Sequence, residues 1–438
     1  MKIQAQEKER GSLAVSYALT VSGEAAQAAF HLLLNILLIR EFLARDYGVF
    51  AVIFTVGAIA ILNVSAVFGQ PITVFISRSR GFSALALEVT MGSMAFLTCT
   101  LFSGAVAITA AYGLGDPLAG ALAGGFAGLW PLRIYVKSVN FALHGKSGAL
   151  RSTLSDVSYA VASAISLAAL HFGFGIALSL SSVFLSLCVG NVVGILICLS
   201  GRGRPIQLCF RRRTFSSFAK MWPDIRWSLI ATVANTLLGQ SQMALVTILA
   251  GPAAYAPLAA GFVLMSPIRI MSIAVLNIMR PDLSRSTARG DHRSASAIFI
   301  KTAATLAAVY FSYGLALWLG WSIAEPLLYA KRFSTQPMGE IVILAWMLTS
   351  IGNATTLLQA SALARSRFRE AAWPTLAGGV LTVVLVPACL LAFGPALSTS
   401  GAIIGEIATV ALLWTRRASF PVVARSATGD ATAFPSIT

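Results

Sequence analysis

Twelve apolar stretches run through the chain, and most of its positive charge falls in every second gap between them. Each stretch is long enough, or nearly so, to cross the roughly 30 Å hydrocarbon layer of a bilayer, which takes about 20 helical residues. The stretches are continuous and lack the alternation of a membrane β-barrel, so helices are predicted. The predicted spans are 13–39, 47–76, 89–114, 117–143, 152–170, 174–199, 225–250, 257–279, 295–323, 339–363, 372–393 and 397–414.

The cations predict the sidedness of these spans. Of the 32 Lys and Arg residues, 25 lie at the two termini or in the gaps after even-numbered spans. The opposite gaps contain only Arg40, Arg45, Lys331 and Arg332. Because cytoplasmic loops carry an excess of Lys and Arg, both termini are predicted to be cytoplasmic. The net charge of +16 is spread over short loops beside apolar spans, so no nucleic-acid partner is expected.

A basic loop near the middle of the chain divides the spans six and six. The predicted organisation is an N-terminal six-helix bundle (1–199), a basic cytoplasmic linker (200–224), a C-terminal six-helix bundle (225–416) and a disordered tail (417–438). Ordered matches between the halves favour an internal repeat, for example "FALHGKSGALR" (141–151) with "QASALARSRFR" (359–369). We therefore predict an all-α membrane protein with two pseudo-symmetric bundles.

The segment "LLIREFLARDYGVFAVIFTVGAIAILNVSAVFGQPITVFISRSR" (37–80) resembles the start of Wzx-type polysaccharide flippases. In that family an apolar span ends in a short "LAR-(x)-YG-(x)-F" connector, here Leu43–Phe50, and the next span runs to a basic pair, here Arg78 and Arg80. The motif covers 37–80 and, more loosely, the ends of spans 4 and 10. Span count and layout extend the resemblance over the whole chain.

This family belongs to the multidrug/oligosaccharidyl-lipid/polysaccharide exporter superfamily. The resemblance implies a V-shaped, MATE-like pair of bundles around a central cavity. It also implies a bacterial inner-membrane protein that moves a polyprenyl-pyrophosphate-linked oligosaccharide for the synthesis of surface lipopolysaccharide or exopolysaccharide. A polysaccharide polymerase or copolymerase is another candidate partner. Membrane lipids are a candidate partner of the Lys/Arg-rich loop 200–220, although topology alone accounts for its charge.

Three cations lie within predicted spans. Arg133 and Lys137 are four residues apart on one face of span 4, and Arg269 follows Pro267 in span 8. A charge at mid-span costs roughly 2.5–3.5 kcal/mol, so each is expected to face water, an anion or a counterion. We predict a cationic cavity between the halves that binds the pyrophosphate. For Lys137, snorkelling towards the interface is an equal alternative.

Two carboxylates and one histidine complete the charged groups considered for the site. Glu24 in span 1 is interpreted equally as an H⁺ or Na⁺ coupling site or as a charge that neutralises the cations. A structural role is favoured for Glu406 in span 12, and a hydrogen-bonded interior position for His31. Asp156 lies too near a span end for a role to be assigned from sequence.

Catalytic and metal-binding motifs are not found in the sequence. "HGKS" (144–147) has Asn140 where a phosphate-binding loop needs glycine, and the five cysteines lack metal-site spacing. We predict no cofactor, no metal and no enzymatic activity. A flippase is favoured over a cation-coupled multidrug antiporter, whose cavity would need more carboxylates and aromatics. A membrane polysaccharide polymerase or glycosyltransferase is the third alternative, although no outside gap exceeds about 16 residues.

Overall fold

The chain is an assembly of long helices. The computed structural model describes residues 2–72, 82–200, 207–269, 291–329, 335–364 and 368–418, with isolated positions within 271–290 and at 333. Nearly all of that part is helical, and it contains no strand. The predicted all-α class is confirmed.

The first five helices pack together as one half of the molecule. They are α1 (Lys2–Glu41), α2 (Ala44–Val64), α3 (Phe82–Leu114), α4 (Pro117–Ala168) and α5 (Leu180–Leu199). A π-helical turn, Ser65–Gly69, continues α2, and a second, Ala169–Gly173, continues α4. The long α4 is central, because it packs against α1, α2, α3 and α5.

Helix α4 reverses direction although its helical hydrogen bonding is continuous. Arg133 and Asp156 form an ion pair of 2.8 Å, whereas 23 residues of straight helix would separate them by about 35 Å. The turn lies between Asn140 and Gly148, where a Cβ on Gly148 would collide with the Asn140 carbonyl. The two arms of α4 correspond to predicted spans 4 and 5. A loop was expected between these spans, but the chain reverses there within one helix.

The remaining helices form the second half. They are α6 (Arg212–Ala250), α7 (Pro252–Val263), α8 (His292–Leu328), α9 (Met338–Ala364), α10 (Phe368–Phe393) and α11 (Ser398–Ala418). Helix α10 packs against α6 and α11, and α11 also packs against α9. Only Gly251 separates α6 from α7, with a φ of 87° that favours glycine. Asp291 caps α8 by accepting the Ser294 N–H, a bond that holds the pKa of this carboxyl below its ordinary value.

The described part contains 10 helical segments long and apolar enough to cross a membrane. Apolar side chains such as Leu101 on α3 and Phe311 on α8 point outward, as expected of surfaces that face lipid. The chain is therefore a multi-pass membrane protein. Twelve spans, cytoplasmic termini and the bounds of the four predicted regions stay predictions. The tail beyond 418, the basic pair Arg78 and Arg80, and half of span 8 after Arg269 lie outside the described residues.

The two halves meet closely where α2 and α7 begin. A Cβ on Gly48 would collide with the carbonyl of Pro252, so these helix ends touch backbone to backbone. Tyr47 and Tyr255 are buried beside this point in one apolar cluster drawn from both halves. We call this region the α2–α7 contact. It joins the two halves at the end where the α1–α2 and α6–α7 connections lie.

Candidate functional site

Arg133 lies inside the N-terminal half and is completely enclosed, with 0% of its surface exposed. One terminal nitrogen of its guanidinium group donates to Asp156 at 2.8 Å, and the other donates to Gln27 on α1 at 2.7 Å. Its Nε donates to Asn191 on α5 at 3.1 Å. The guanidinium carbon also stands 4.3 Å from the centre of the Tyr159 ring, within cation–π range. Three helices therefore satisfy this charge.

Lys137 shares the same carboxylate. Its Nζ lies 2.8 Å and 2.6 Å from the two oxygens of Asp156, and its side chain is 7% exposed. Arg133, Lys137 and Asp156 form a buried cluster with one excess positive charge, which we call the α4 charge cluster. It joins the two arms of α4. Buried carboxylates of this kind hold cations in place by charge-assisted hydrogen bonds.

Asp156 is the member of this cluster to which no role was assigned from sequence. The signal was available, because a reversal centred between residues 144 and 145 places position 156 opposite position 133. The cavity between the halves, predicted to be lined by all three cations, stays a prediction. Arg133 and Lys137 are enclosed with Asp156 inside one half, since a buried counterion removes the cost that was expected to turn them towards water. What these cations bind during transport stays a prediction.

Glu24 lies at the exposed edge of this cluster. It precedes Gln27 by one turn of α1 and is close enough to interact electrostatically with Lys137 and Asp156. With Glu24 ionised, the two cations and two carboxylates balance. With Glu24 protonated, one positive charge remains uncompensated. The arrangement can therefore link proton or cation binding at Glu24 to the charge of the N-terminal half.

His31 lies further along the same face of α1. Its Nε2 is 2.8 Å from the hydroxyl of Tyr159, the residue whose ring covers Arg133. Its ring centre stands 4.9 Å from that of Phe54 and 5.3 Å from that of Trp130, both edge-on. Tyr159 thus connects the α4 charge cluster to an aromatic region that surrounds the histidine.

Arg269 lies in the other half and differs in its surroundings. It follows α7 and is exposed, and it acts electrostatically on the hydroxyls of Tyr255 and Tyr310. Tyr255 belongs to the α2–α7 contact. No ion-pair partner for Arg269 is found among the described residues.

Glu406 is buried within the C-terminal half. One of its carboxylate oxygens accepts the hydroxyl of Thr355 at 2.5 Å, which links α11 to α9. Within the described ranges, no Lys or Arg forms an ion pair with it. Nearby helices carry neutral polar contacts, including Gln359 with Thr375 at 2.7 Å and with Asn235 at 2.9 Å. The charged cluster of one half thus has no counterpart of the same kind in the described part of the other.

Comparisons of the fold find several solved membrane transporters. The lipid II flippase MurJ, in an inward closed conformation, superposes with a TM-score of 0.69 at 13% sequence identity, covering 92% of this chain and 88% of that chain. An inward-facing multidrug resistance MATE family transporter of the MOP superfamily gives a TM-score of 0.64 at 14% identity, covering 90% and 94%.

A third structure is a MOP superfamily transporter from Pyrococcus furiosus, in which the reverse polarity of the binding pocket suggests a different function. It gives a TM-score of 0.60 at 12% identity and covers 93% of this chain and 95% of that chain. No protein-family model matches the sequence, and no curated protein does either. At these identities the likeness establishes the fold, which is the one shared by MATE transporters and MurJ.

Proposed function

We propose that this multi-pass membrane protein is a flippase for a lipid-linked oligosaccharide. Its substrate would be a polyprenyl-pyrophosphate-linked repeat unit for surface polysaccharide, moved across a bacterial inner membrane. One observation carries the proposal. Arg269 presents an exposed guanidinium within an apolar part of the chain, without an ion-pair partner among the described residues. A charge so placed needs water, an anion or a counterion, and a pyrophosphate supplies an anion.

The chemistry of the three cations supports an anionic head group. At a separation of 4 Å and an effective dielectric of about 20, one cation–phosphate pair contributes roughly 4 kcal/mol. Arginine also offers two parallel donors to phosphate oxygens. In this proposal Arg269 contacts the pyrophosphate, and the excess charge of the α4 charge cluster, from Arg133 and Lys137, attracts it from the other half. The lipid tail stays between the halves in the membrane.

Alternating access is the mechanism that this arrangement favours. The α2–α7 contact closes one end of the molecule, so the head group would enter from the opposite end. Separation of α2 from α7 would then release it on the other side. H⁺ or Na⁺ binding at Glu24 is the proposed energy source, because that carboxylate sets the net charge beside Lys137.

A cation-coupled multidrug antiporter is the second candidate. It is favoured by the carboxylate Glu24 and by the aromatic rings of Phe54, Trp130 and Tyr159 around His31. Deleting the gene separates the candidates. A flippase predicts altered surface polysaccharide and accumulated lipid-linked precursor, whereas unchanged glycans with increased sensitivity to cationic drugs would favour the antiporter.

Replacing Arg269 with alanine is expected to reduce export to background while membrane insertion stays intact. The loss of roughly 4 kcal/mol of attraction corresponds to about a 1000-fold weaker interaction with the head group. Arg269→Lys should retain part of the activity, since lysine keeps the positive charge but cannot donate two parallel hydrogen bonds to a phosphate. The measurement is surface polysaccharide and precursor accumulation in complemented deletion cells. Arg293→Ala, which removes an exposed cation at the start of α8, is the matched control. Normal export by the Arg269 variant would reject the proposed contact.

Replacing Glu24 with glutamine is expected to remove the dependence of transport on an ion gradient, because an amide cannot bind and release a proton at this position. The assay is translocation of a fluorescent lipid-linked oligosaccharide in proteoliposomes, with and without a pH or Na⁺ gradient. Glu406→Gln serves as the comparison, since its amide can still bond Thr355 and its role is proposed to be structural. Full gradient stimulation of the Glu24 variant would exclude coupling at this carboxylate.

A further inference from the structure

The first part of α6 is a surface helix that precedes a membrane span. The span begins at Ile225, whereas α6 begins at Arg212. We call residues 212–222 the linker helix. It is fixed to the N-terminal half, because Phe218 stacks on Phe68 with ring centres 5.7 Å apart. Just before it, the N–H of Cys209 donates to the Ser93 hydroxyl at 2.7 Å. Phe68 lies four residues before the end of its apolar segment and Ser93 eight residues after the start of its own, so we infer that the linker helix lies close to the membrane surface.

The outward face of this region combines cations with aromatic rings. Phe218 and Ile225 face the protein, and Ile225 is completely buried at 1% exposure. The outward-facing aromatic side chains are Phe210, Phe215, Trp222 and Trp227, with 49%, 40%, 39% and 60% of their surfaces exposed. The exposed cations interspersed with them are Arg211, Arg212, Arg213, Lys220 and Arg226.

The charge of this face has no counterpart in the described protein. Residues 207–227 contain five cations and one carboxylate, Asp224, a net charge of +4. Within the described part of the chain, none of these five cations forms an ion pair. The positive-inside rule explains why cations lie on this side of the membrane. It does not require them to share an ordered, exposed helix face with aromatic rings.

We propose that the linker helix is a binding surface for the head groups of anionic phospholipids in the adjacent leaflet. Guanidinium groups form paired hydrogen bonds with phosphate oxygens, and Trp rings favour the depth of the head groups. Basic residues near an anionic leaflet each add to the attraction. The lipid occupies this face because Trp222 and Trp227 flank Ile225, where the span starts, a depth that a soluble partner does not reach. Bound lipid holds the start of α6 at the membrane surface.

The test measures lipid retention by the purified full-length protein. Native mass spectrometry with phosphatidylglycerol and phosphatidylcholine in equal amounts gives the preference for the anionic lipid. Arg211→Gln/Arg212→Gln/Arg213→Gln is expected to lower that preference about 100-fold, from the loss of three cations at the surface. The triple lysine variant keeps the charge and should retain most of it. Inorganic phosphate at millimolar concentration should not displace the lipid.

Controls separate a local site from general charge. Arg293→Gln/Lys301→Gln removes exposed cations at the start of α8 and should leave the preference unchanged. An equal loss in that control, an unchanged preference in the glutamine triple, or displacement by free phosphate would each overturn the proposal. If the glutamine triple variant does not fold, lipid binding is measured in the unsubstituted protein as quenching of Trp222 fluorescence by brominated phosphatidylglycerol. The Trp222→Phe protein gives the quenching that comes from the other tryptophans. The assay measures binding and not transport, so its outcome is independent of the flippase proposal.

Discussion

Asp156→Asn is expected to destabilise the protein by about 3–5 kcal/mol, because it leaves Arg133 and Lys137 buried without their counterion. Such a loss is a large fraction of the roughly 5–15 kcal/mol by which proteins are stable. The substituted amide can still accept a hydrogen bond, so the effect comes from the charge. The measurement is the unfolding midpoint and free energy of the purified protein in detergent.

Three further variants identify the origin of that loss. Lys137→Gln alone should cost less, because the Arg133–Asp156 pair remains neutral. Combining it with Asp156→Asn should restore part of the stability, since one buried charge is left unpaired in place of two. Glu340→Gln removes an exposed carboxylate and should change stability by no more than about 0.5 kcal/mol. An Asp156→Asn protein as stable as the wild type would contradict the buried α4 charge cluster.

Gly48→Ala is expected to open the α2–α7 contact. The added methyl group would collide with the Pro252 carbonyl, and backbone on both sides leaves little room for adjustment. Overpacking of this kind costs about 1–3 kcal/mol, which shifts a two-state equilibrium roughly 5- to 150-fold. In the proposed cycle the variant would favour the state open at this end, and transport would fall accordingly.

Chemical labelling measures this opening. A single cysteine at Ala256, completely buried in the shared apolar cluster, should react with a maleimide faster in the Gly48→Ala protein than in the parent. The background for both has the five native cysteines replaced. Gly104→Ala is the matched control, because a Cβ at that helical glycine meets no atom within 4 Å. Equal labelling in all three proteins would show that Gly48 does not determine closure.

The sequence predicts the helices well because each carries its own signal. A continuous apolar run of about 20 residues is a local property, and most predicted spans overlap an observed helix. The reversal of α4 was not predicted as helical, since nothing in residues 141–147 distinguishes a tight helical turn from a loop. The backbone contact of Gly48 with Pro252 joins residues about 200 positions apart, and no local pattern encodes it.

In the candidate site, too, some residues could be predicted from local sequence and others could not. The unusual residues Arg133, Lys137 and Arg269 were identifiable, because charge within an apolar span is conspicuous. The residues that contact them were not identifiable from sequence, because these contacts depend on how the helices are arranged. Asp156 was set aside for its position near a span end, yet the reversal of α4 brings it inward. The link from His31 through Tyr159 to Arg133 likewise needs α1 and α4 to lie side by side.

The single residue between α6 and α7 has a mechanical consequence. Gly251 leaves almost no slack, and the far end of α6 is attached to the opposite half through Phe218 and Phe68. Helix α6 contains 39 residues, and Pro223, between the linker helix and the span, is where it can bend. In the proposed cycle α6 would couple the α2–α7 contact to the far end of the molecule, so that movement at one face of the membrane would be transmitted to the other.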